Sequence, residues 1–449
     1  MNSRSWFSCK RLADYKSERP IMSKKISALA LLTLLSLCAG SFLPRGHAQN
    51  GAPGTAQNAA IVSTTAAVLK ETSELRELAV LKTVKSGAQS RADIERMIIR
   101  NLDSDTTPAE MHAAEMVLRG FGLAPQSFEY RPFLIKLLKE QVAGYYDPKA
   151  QQFYLADWID LDGQKPVMAH ELTHALQDQH FNLKRFEKWP KGDSDAELAA
   201  HALIEGDATL AMTLYMAKNP MVALAFIRSL GSQGIATEQY NQAPRALRES
   251  LLFPYEEGLA WATQVYKRGG WDAVSKAFTK LPQSSEQIIH ADKYFSYEVP
   301  LKVALPEFKT ILGPSWKRID YDVNGEWGCY LILDEFLNNT TESKKAAAGW
   351  GGDRFALYET GKPGEIFIAQ LTAWDTPVDA KEFFDAYAQR TLKRYTDAQE
   401  LKTTGDRREW QTSSGVVAME LRDSRVAIFE GIPSSTNANA LLRAIWQQR

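Results

Sequence analysis

The chain has 449 residues, of which 45% are hydrophobic and 24% charged, and a net charge of -1. This is the composition of a globular protein long enough for two domains or one large one. The near-neutral charge excludes bulk nucleic-acid binding, which needs a basic footprint.

Residues 1–48 read as an export signal. In "MSKKISALALLTLLSLCAG" two lysines precede an apolar run from Ile26 to Cys38, and Gly46 and Ala48 supply the small residues of a cleavage site before Gln49. Met22 is then an alternative start. The run of about a dozen residues is short of the ~20 needed for a membrane span. We therefore expect a periplasmic or secreted protein with no stable span after cleavage. Cys38 follows the bulky Leu37, which argues against a lipid-modified cysteine there. Of the three cysteines, Cys9, Cys38 and Cys329, only Cys329 survives cleavage, so no internal disulfide is expected.

Residues 49–65 are small and polar and suggest a flexible leader. A helix is expected near Ala66–Leu75, and a short strand over Leu78–Gly87, ended by Ser86-Gly87. "SRADIERMIIRNL", "TPAEMHAAEMVLRGFG" and "YRPFLIKLLKEQ" have helical spacing; the second has Thr107 as cap, Pro108 in its first turn, and Gly120 and Gly122 at its end. "VAGYYDPKAQQFYLAD" breaks that rhythm. Its Asp147-Pro148-Lys149-Ala150 is a turn signal between two aromatic-rich strands, which predicts a β-hairpin. An amphipathic helix over "PVMAHELTHALQDQHF" follows, then a long helix from Asp193 to Lys218 with Gly206 in its interior. A glycine there costs about 1 kcal/mol against alanine and marks close approach of another backbone. Helical segments continue to about residue 345. Beyond Gly349 the pattern becomes strand, capped helix, hairpin turning at Asp423-Ser424, and final helix, an α+β arrangement. "GWGGDRF" reads as a tight turn between domains.

The chemistry sits in "HELTH". His170 and His174 are four residues apart, which on a helix puts both imidazoles on one face within reach of a single ion. Glu171, beside the open coordination position, is placed to take a proton from water. This is the H-E-x-x-H arrangement of zinc hydrolases. A catalytic zinc needs a third protein ligand. His180 has the spacing of H-E-x-x-H-x-x-G-x-x-H, but position 177 is Gln rather than Gly. A helix continuing through Gln177 puts His180 about 15 Å along the axis from His170, too far to share an ion. Glu205, in "HALIEGDA", is the better ligand, because a helix–loop–helix return can bring it back; His201 is its alternative. Asp207 and Glu197 are candidates to orient the ligand histidines. His290 is the expected donor to a tetrahedral oxyanion, with Glu286 to orient it and Tyr294 as second choice.

"HELTHALQDQHF" followed by "ALIEGDATL" resembles the gluzincin branch of zinc metallopeptidases, in particular a group of exported bacterial proteins. "EQVAGYYDPKAQQFYLAD" upstream and "PQSSEQIIHADKYF" downstream belong to the same resemblance, which covers roughly residues 70 to 300. It implies a zincin-like metallopeptidase domain, taken as 66–345; with the small α+β domain that the element pattern gives over 346–449, we expect an α+β, predominantly helical protein. The resemblance implies zinc on His170, His174 and Glu205, with Glu171 as general base. It also implies a peptide or protein substrate bound as an added strand along the hairpin. Many gluzincins have Asp four residues after the ligand glutamate, where this chain has Thr209. Two other readings use the same residues: a catalytically silent, metal-stabilised scaffold, and a zinc hydrolase of a non-peptide amide.

Overall fold

The computed structural model describes residues 55–447 except 142–143, 159–160, 188, 190–191 and 234–241, so the expected signal peptide lies outside the described residues. Helix α1 spans Thr55–Arg76, so the expected leader is helical from Thr55 onward. The reason is a stripe at helical spacing. Ile61, Thr65, Val68, Thr72 and Arg76 are all buried, and Ile61, Val68 and Leu69 share a core cluster with Met168, Leu172 and Leu176. The threonines disguise that stripe in the sequence.

Strand β1 (Lys85–Gln89) leads into α2 (Arg91–Asp105), α3 (Pro108–Phe121) and α4 (Tyr130–Gln141). The capping box on α3 forms as its sequence requires, between Thr107 and Glu110, and Gly122 ends the helix at φ 78°. The expected hairpin is β2 (Gly144–Asp147) and β3 (Gln152–Ala156). Its turn is held by Asp147 Oδ1, which accepts from the amides of Lys149 and Ala150. β1 adds parallel to β3, giving the order β1-β3-β2 and leaving β2 at an edge.

Among the described residues there follow the helices α5 (Lys165–Phe181), α6 (Ser194–Lys218), α7 (Pro220–Gln233) and α8 (Arg245–Ala277), the last kinked at Gly269–Gly270. α5 is buried from Pro166 to Asp178, so it is not the amphipathic helix expected but one enclosed on all sides. α6 and α8 cross with their backbones in contact. A Cβ on Gly206 would lie 2.2 Å from the Gly258 carbonyl oxygen, and one on Gly258 would lie 2.4 Å from that of Ala202. The short helices α9 (Ser285–Ile289), α10 (Ala291–Ser296) and α11 (Lys309–Leu312) come next.

The C-terminal sheet has the antiparallel order β4-β5-β6-β10-β9-β8-β7, from strands Lys317–Asp322, Trp350–Glu359, Ile366–Trp374, Arg425–Ile432, Gly415–Arg422, Arg407–Thr412 and Gln399–Thr403 respectively. It begins at Lys317, ahead of the expected boundary at 346. "GWGGDRF" is not a turn between domains: only Gly349 turns, at φ 76°, and strand β5 starts at Trp350. Alternate residues of β5 face opposite sides. Phe355 and Leu357 join the main core, which also contains α6, α8, α12 (Gly325–Leu337) and α14 (Pro377–Arg394). Ala356 and Tyr358 join a second cluster with Phe308 and Leu441 of the C-terminal helix α15 (Ala438–Trp446). Helix α13 (Thr340–Ala347) lies between α12 and β5 in the chain. Because one core runs through both halves, the molecule is α+β and predominantly helical without a break in packing at residue 346. Among the described residues no single helix is long and apolar enough to cross a membrane.

Asp353 of β5 accepts from the amides of Asn324 and Gly325 and from the Trp350 indole. Burial still pushes its pKa up to about 6. A carboxyl raised in the folded state contributes stability below the unfolded pKa of about 3.9, and that contribution is lost as pH rises to about 6. Between pH 4 and 6 the parent is therefore expected to lose up to ~3 kcal/mol relative to Asp353→Asn. Urea unfolding of both proteins across that range measures the difference, and parallel pH profiles would disprove the assignment.

Candidate metal centre

α5 carries His170, Glu171 and His174, and α6 carries Glu205. The return between the two helices brings the fourth residue to the other three. His170 Nε2 lies 3.1 Å from His174 Nε2 and 3.1 Å from Glu205 Oε2, and His174 Nε2 lies 3.4 Å from that same oxygen. Four ligands at the vertices of a tetrahedron with zinc–nitrogen and zinc–oxygen bonds of 2.0–2.1 Å are separated by about 3.3–3.4 Å. The trio therefore already has nearly the edge lengths of a zinc coordination face. All three side chains are buried, and Glu205 Oε1 has no hydrogen-bond partner among the described residues.

The tautomer of His174 follows from its neighbours. Gln177 Nε2 donates to Ile204 O at 3.0 Å and to Asp207 Oδ2 at 2.9 Å, which turns the Gln177 oxygen toward His174 Nδ1 at 2.8 Å. Nδ1 is then a donor, and Nε2 is the nitrogen that faces the trio. Asp207 is itself held by Arg76, whose Nε and Nη2 donate to it at 2.6 and 3.1 Å. A buried chain thus runs from α1 through Arg76, Asp207 and Gln177 to a ligand. Gln177 occupies the position where a metzincin has its helix-ending glycine. Here it keeps the helix intact and orients His174. Asp207 serves the centre only through Gln177, while Glu197 lies two turns back along α6.

Charge balance favours a cation among the three. Burial acts to lower the His174 pKa and to raise that of Glu205, but their mutual attraction outweighs it. His174 is lifted to about 9 and Glu205 is held at about 2. A carboxylate and two imidazoles so arranged form the donor set zinc takes in catalytic sites.

Glu171 is buried beside the trio, and its Oε2 accepts from the Tyr146 amide of edge strand β2 at 2.9 Å. Tyr255, on α8, was not singled out in the sequence. Its ring stacks on His170 at 6.0 Å, and it faces both Glu205 and Glu171. Burial first, then those two carboxylates, raise its phenol far above the usual tyrosine value, so it stays a proton donor. It lies 50 residues after Glu205 with no motif around it, so only folding reveals it.

The remaining histidines lie elsewhere. α5 continues to Phe181 as the absence of a breaker requires, and His180 Nε2 bonds to Ala79 O at 2.7 Å, away from the trio. His201 is buried one turn before Glu205, and burial drives its pKa down to about 3. Neither of its ring nitrogens has a hydrogen-bond partner among the described residues. The expected oxyanion donor His290 pairs with Glu326 Oε1 at 2.9 Å instead, and its main charged neighbours are Glu326, Glu286 and Lys293. Glu286 does not orient it; that carboxylate bonds Lys293 Nζ at 2.7 Å. The Tyr294 hydroxyl is engaged by Lys280 O at 2.9 Å. Glu286, Glu298 and Asp375 could in principle hold a metal, but the Lys293 ammonium sits among them at 2.6–2.8 Å and already supplies the charge.

No curated protein sequence and no solved structure matches the chain. A family model described as a domain of unknown function (DUF8575) matches residues 312–442, the segment that builds the seven-stranded sheet and its helices and leaves the metal-ligand trio outside.

Proposed function

We propose that the protein is an exported zinc metallopeptidase of zincin type, with zinc held by His170, His174 and Glu205. The observation that carries this reading is the ligand triangle with edges of 3.1–3.4 Å, formed beside a buried carboxylate that belongs to no metal-ligand set. A purely structural metal site has no need of Glu171. When bound, zinc supplies a Lewis acid that acidifies water and polarises a carbonyl.

The chain's own residues do the rest. Glu171, oriented by the Tyr146 amide, takes a proton from water and passes it to the leaving amine. Tyr255 donates its hydroxyl to the oxyanion, the role the sequence reading gave to His290. Strand β2, at the edge of its sheet, is placed to receive an extended substrate as an added strand. The enclosed α5 excludes bulk water, which strengthens each of these interactions.

Elemental analysis of the purified protein tests the reading. One zinc per chain is expected, lost in Glu205→Ala and kept in His180→Ala. Absence of zinc from the reconstituted parent would overturn the zinc peptidase reading. For Tyr255→Phe, kcat on a fluorogenic peptide is expected to fall by roughly 10²–10³-fold. KM and zinc content should be little changed, because the ring and its stacking on His170 are kept. A KM effect alone would assign Tyr255 to substrate binding.

A further inference from the structure

A cavity of about 380 Å³ opens among the N-terminal turns of α6 and α8, helices α3 and α4, and strand β4. That volume falls in the range of small-ligand pockets, about 300–1,000 Å³, whereas a packed interior holds few voids larger than a water molecule. Its wall is largely apolar, built by Val117, Leu134, Leu198, Leu247, Leu251 and Phe355. Four carboxylates also reach it, and each is already engaged. Glu110 caps α3 through Thr107, Asp320 accepts from the Tyr321 amide, and Asp322 accepts from Ser194 and the Val323 amide. Glu197 is likewise engaged. Together they disfavour an anionic guest and call for no cationic one.

One donor at the wall is unserved. Asn324 Nδ2 is buried there with no hydrogen-bond partner among the described residues. The backbone of Asn324 is fixed, because its N–H donates to Asp353 just ahead of α12. A buried amide donor without an acceptor costs free energy, and a neutral carbonyl removes that cost. An acceptor is offered as well. Ser250 lines the cavity, and its carbonyl lacks the usual helical donor, because Pro254 inside α8 has no N–H to give. An apolar wall with one donor and one acceptor complements an apolar side chain attached to a peptide group.

The cavity adjoins the metal centre along both helices. Glu197 precedes Glu205 by eight residues on α6, about 12 Å along the axis. Leu251 precedes Tyr255 by one turn on α8, about 6 Å. An extended chain covers such distances in roughly two to four residues.

We propose that this cavity binds a large apolar side chain of a polypeptide, leucine or phenylalanine, together with that residue's peptide group, at about two to four residues from the scissile bond. Its place in catalysis rests on the peptidase reading above; the binding does not. The side chain leaves water for the leucine wall. Its carbonyl accepts from Asn324 Nδ2, and its N–H donates to the Ser250 carbonyl. A polar side chain of similar length would lose its hydration and find no partner on that wall. A free carboxylate in place of the peptide carbonyl meets the charge of the four acidic residues.

Binding and cleavage are measured separately. In ligand-observed NMR titrations of the purified protein, Nα-acetyl-phenylalanine amide and Nα-acetyl-leucine amide are expected to bind roughly ten-fold or more tightly than Nα-acetyl-glutamine amide. Nα-acetyl-phenylalanine with a free carboxylate should bind several-fold more weakly than its amide. Leu251→Trp, which fills the cavity, should remove binding of the apolar amides. Asn324→Leu should weaken them several-fold and leave propylbenzene, which has no carbonyl, at least as tightly bound. Thermal unfolding of each variant checks that it folds. In matched fluorogenic peptides, phenylalanine at about two to four residues from the scissile bond should raise kcat/KM about ten-fold over glutamine, mainly through KM, and Leu251→Trp should erase that preference. Apolar amides that bind no tighter than the glutamine amide, or equally well to Leu251→Trp, overturn the proposal. Equal loss of propylbenzene and amide binding in Asn324→Leu overturns the carbonyl contact. Apolar binding that Leu251→Trp removes, with no peptide cleaved, supports the pocket and overturns the peptidase reading alone.

Discussion

Glu171→Gln is expected to lower kcat for peptide hydrolysis by roughly 10²–10⁴-fold while leaving the fold and the zinc content unchanged. The substitution is isosteric. The glutamine oxygen can still accept from the Tyr146 amide, which in the parent lies 2.9 Å from Glu171 Oε2. The carboxamide has no basic lone pair with which to take a proton from water, so only the proton transfer is lost. The proposed zinc ligands His170, His174 and Glu205 are untouched, which separates this variant from Glu205→Ala, where metal and activity should disappear together. The decisive measurement is kcat with the zinc content of the same sample. Hydrolysis within a few-fold of the parent at full zinc occupancy would remove Glu171 from the mechanism.

Gly206→Ala is expected to cost ~3 kcal/mol or more and to impair zinc retention at the same time. The new methyl would lie 2.2 Å from the Gly258 carbonyl oxygen. That neighbour is backbone within a helix and cannot rotate aside, so α6 and α8 must separate. Glu205 is the adjacent residue, and its carboxylate approaches both histidines within 3.4 Å. A shift of α6 by even part of an ångström opens the ligand triangle. Gly258→Ala meets the Ala202 carbonyl oxygen at 2.4 Å and should behave alike, whereas Gly405→Ala, with nothing within 4 Å, should be tolerated. Chemical unfolding and zinc titration of the three variants make the comparison. If Gly206→Ala unfolds like the parent, the helix crossing is not as tight as described.

These expectations differ in how far they could be read from the sequence. The spacing of His170 and His174 and the place of Glu171 depend only on helical geometry, so the chain order contains them. The same is true of the Thr107 cap, the Asp147 turn and the missing breaker at Gln177, each of which acts over a few residues. Gly206 signalled a close backbone approach but could not say that Gly258 was the partner. Tyr255, Arg76 and Gln177 are different: each acts across a gap of 27 to 131 residues or stacks on a residue 85 positions away. Such pairings are set by how helices pack, and no local pattern encodes them.

The opposite error has the same origin. His290 is the right residue type for an oxyanion donor, but folding gives it to Glu326, and Glu286 to Lys293. The leader through residue 65 looked polar because threonine hides a buried stripe, and β5 looked like a turn because its glycines lie against the Leu301 backbone rather than at a bend. By itself the sequence determined most of the helices, the hairpin and the residue types of the candidate metal site, because those depend on short-range spacing and side-chain type. Only the tertiary structure decided which groups orient His174 and which hydroxyl faces the site, because burial and long-range packing assign partners among residues that are locally equivalent.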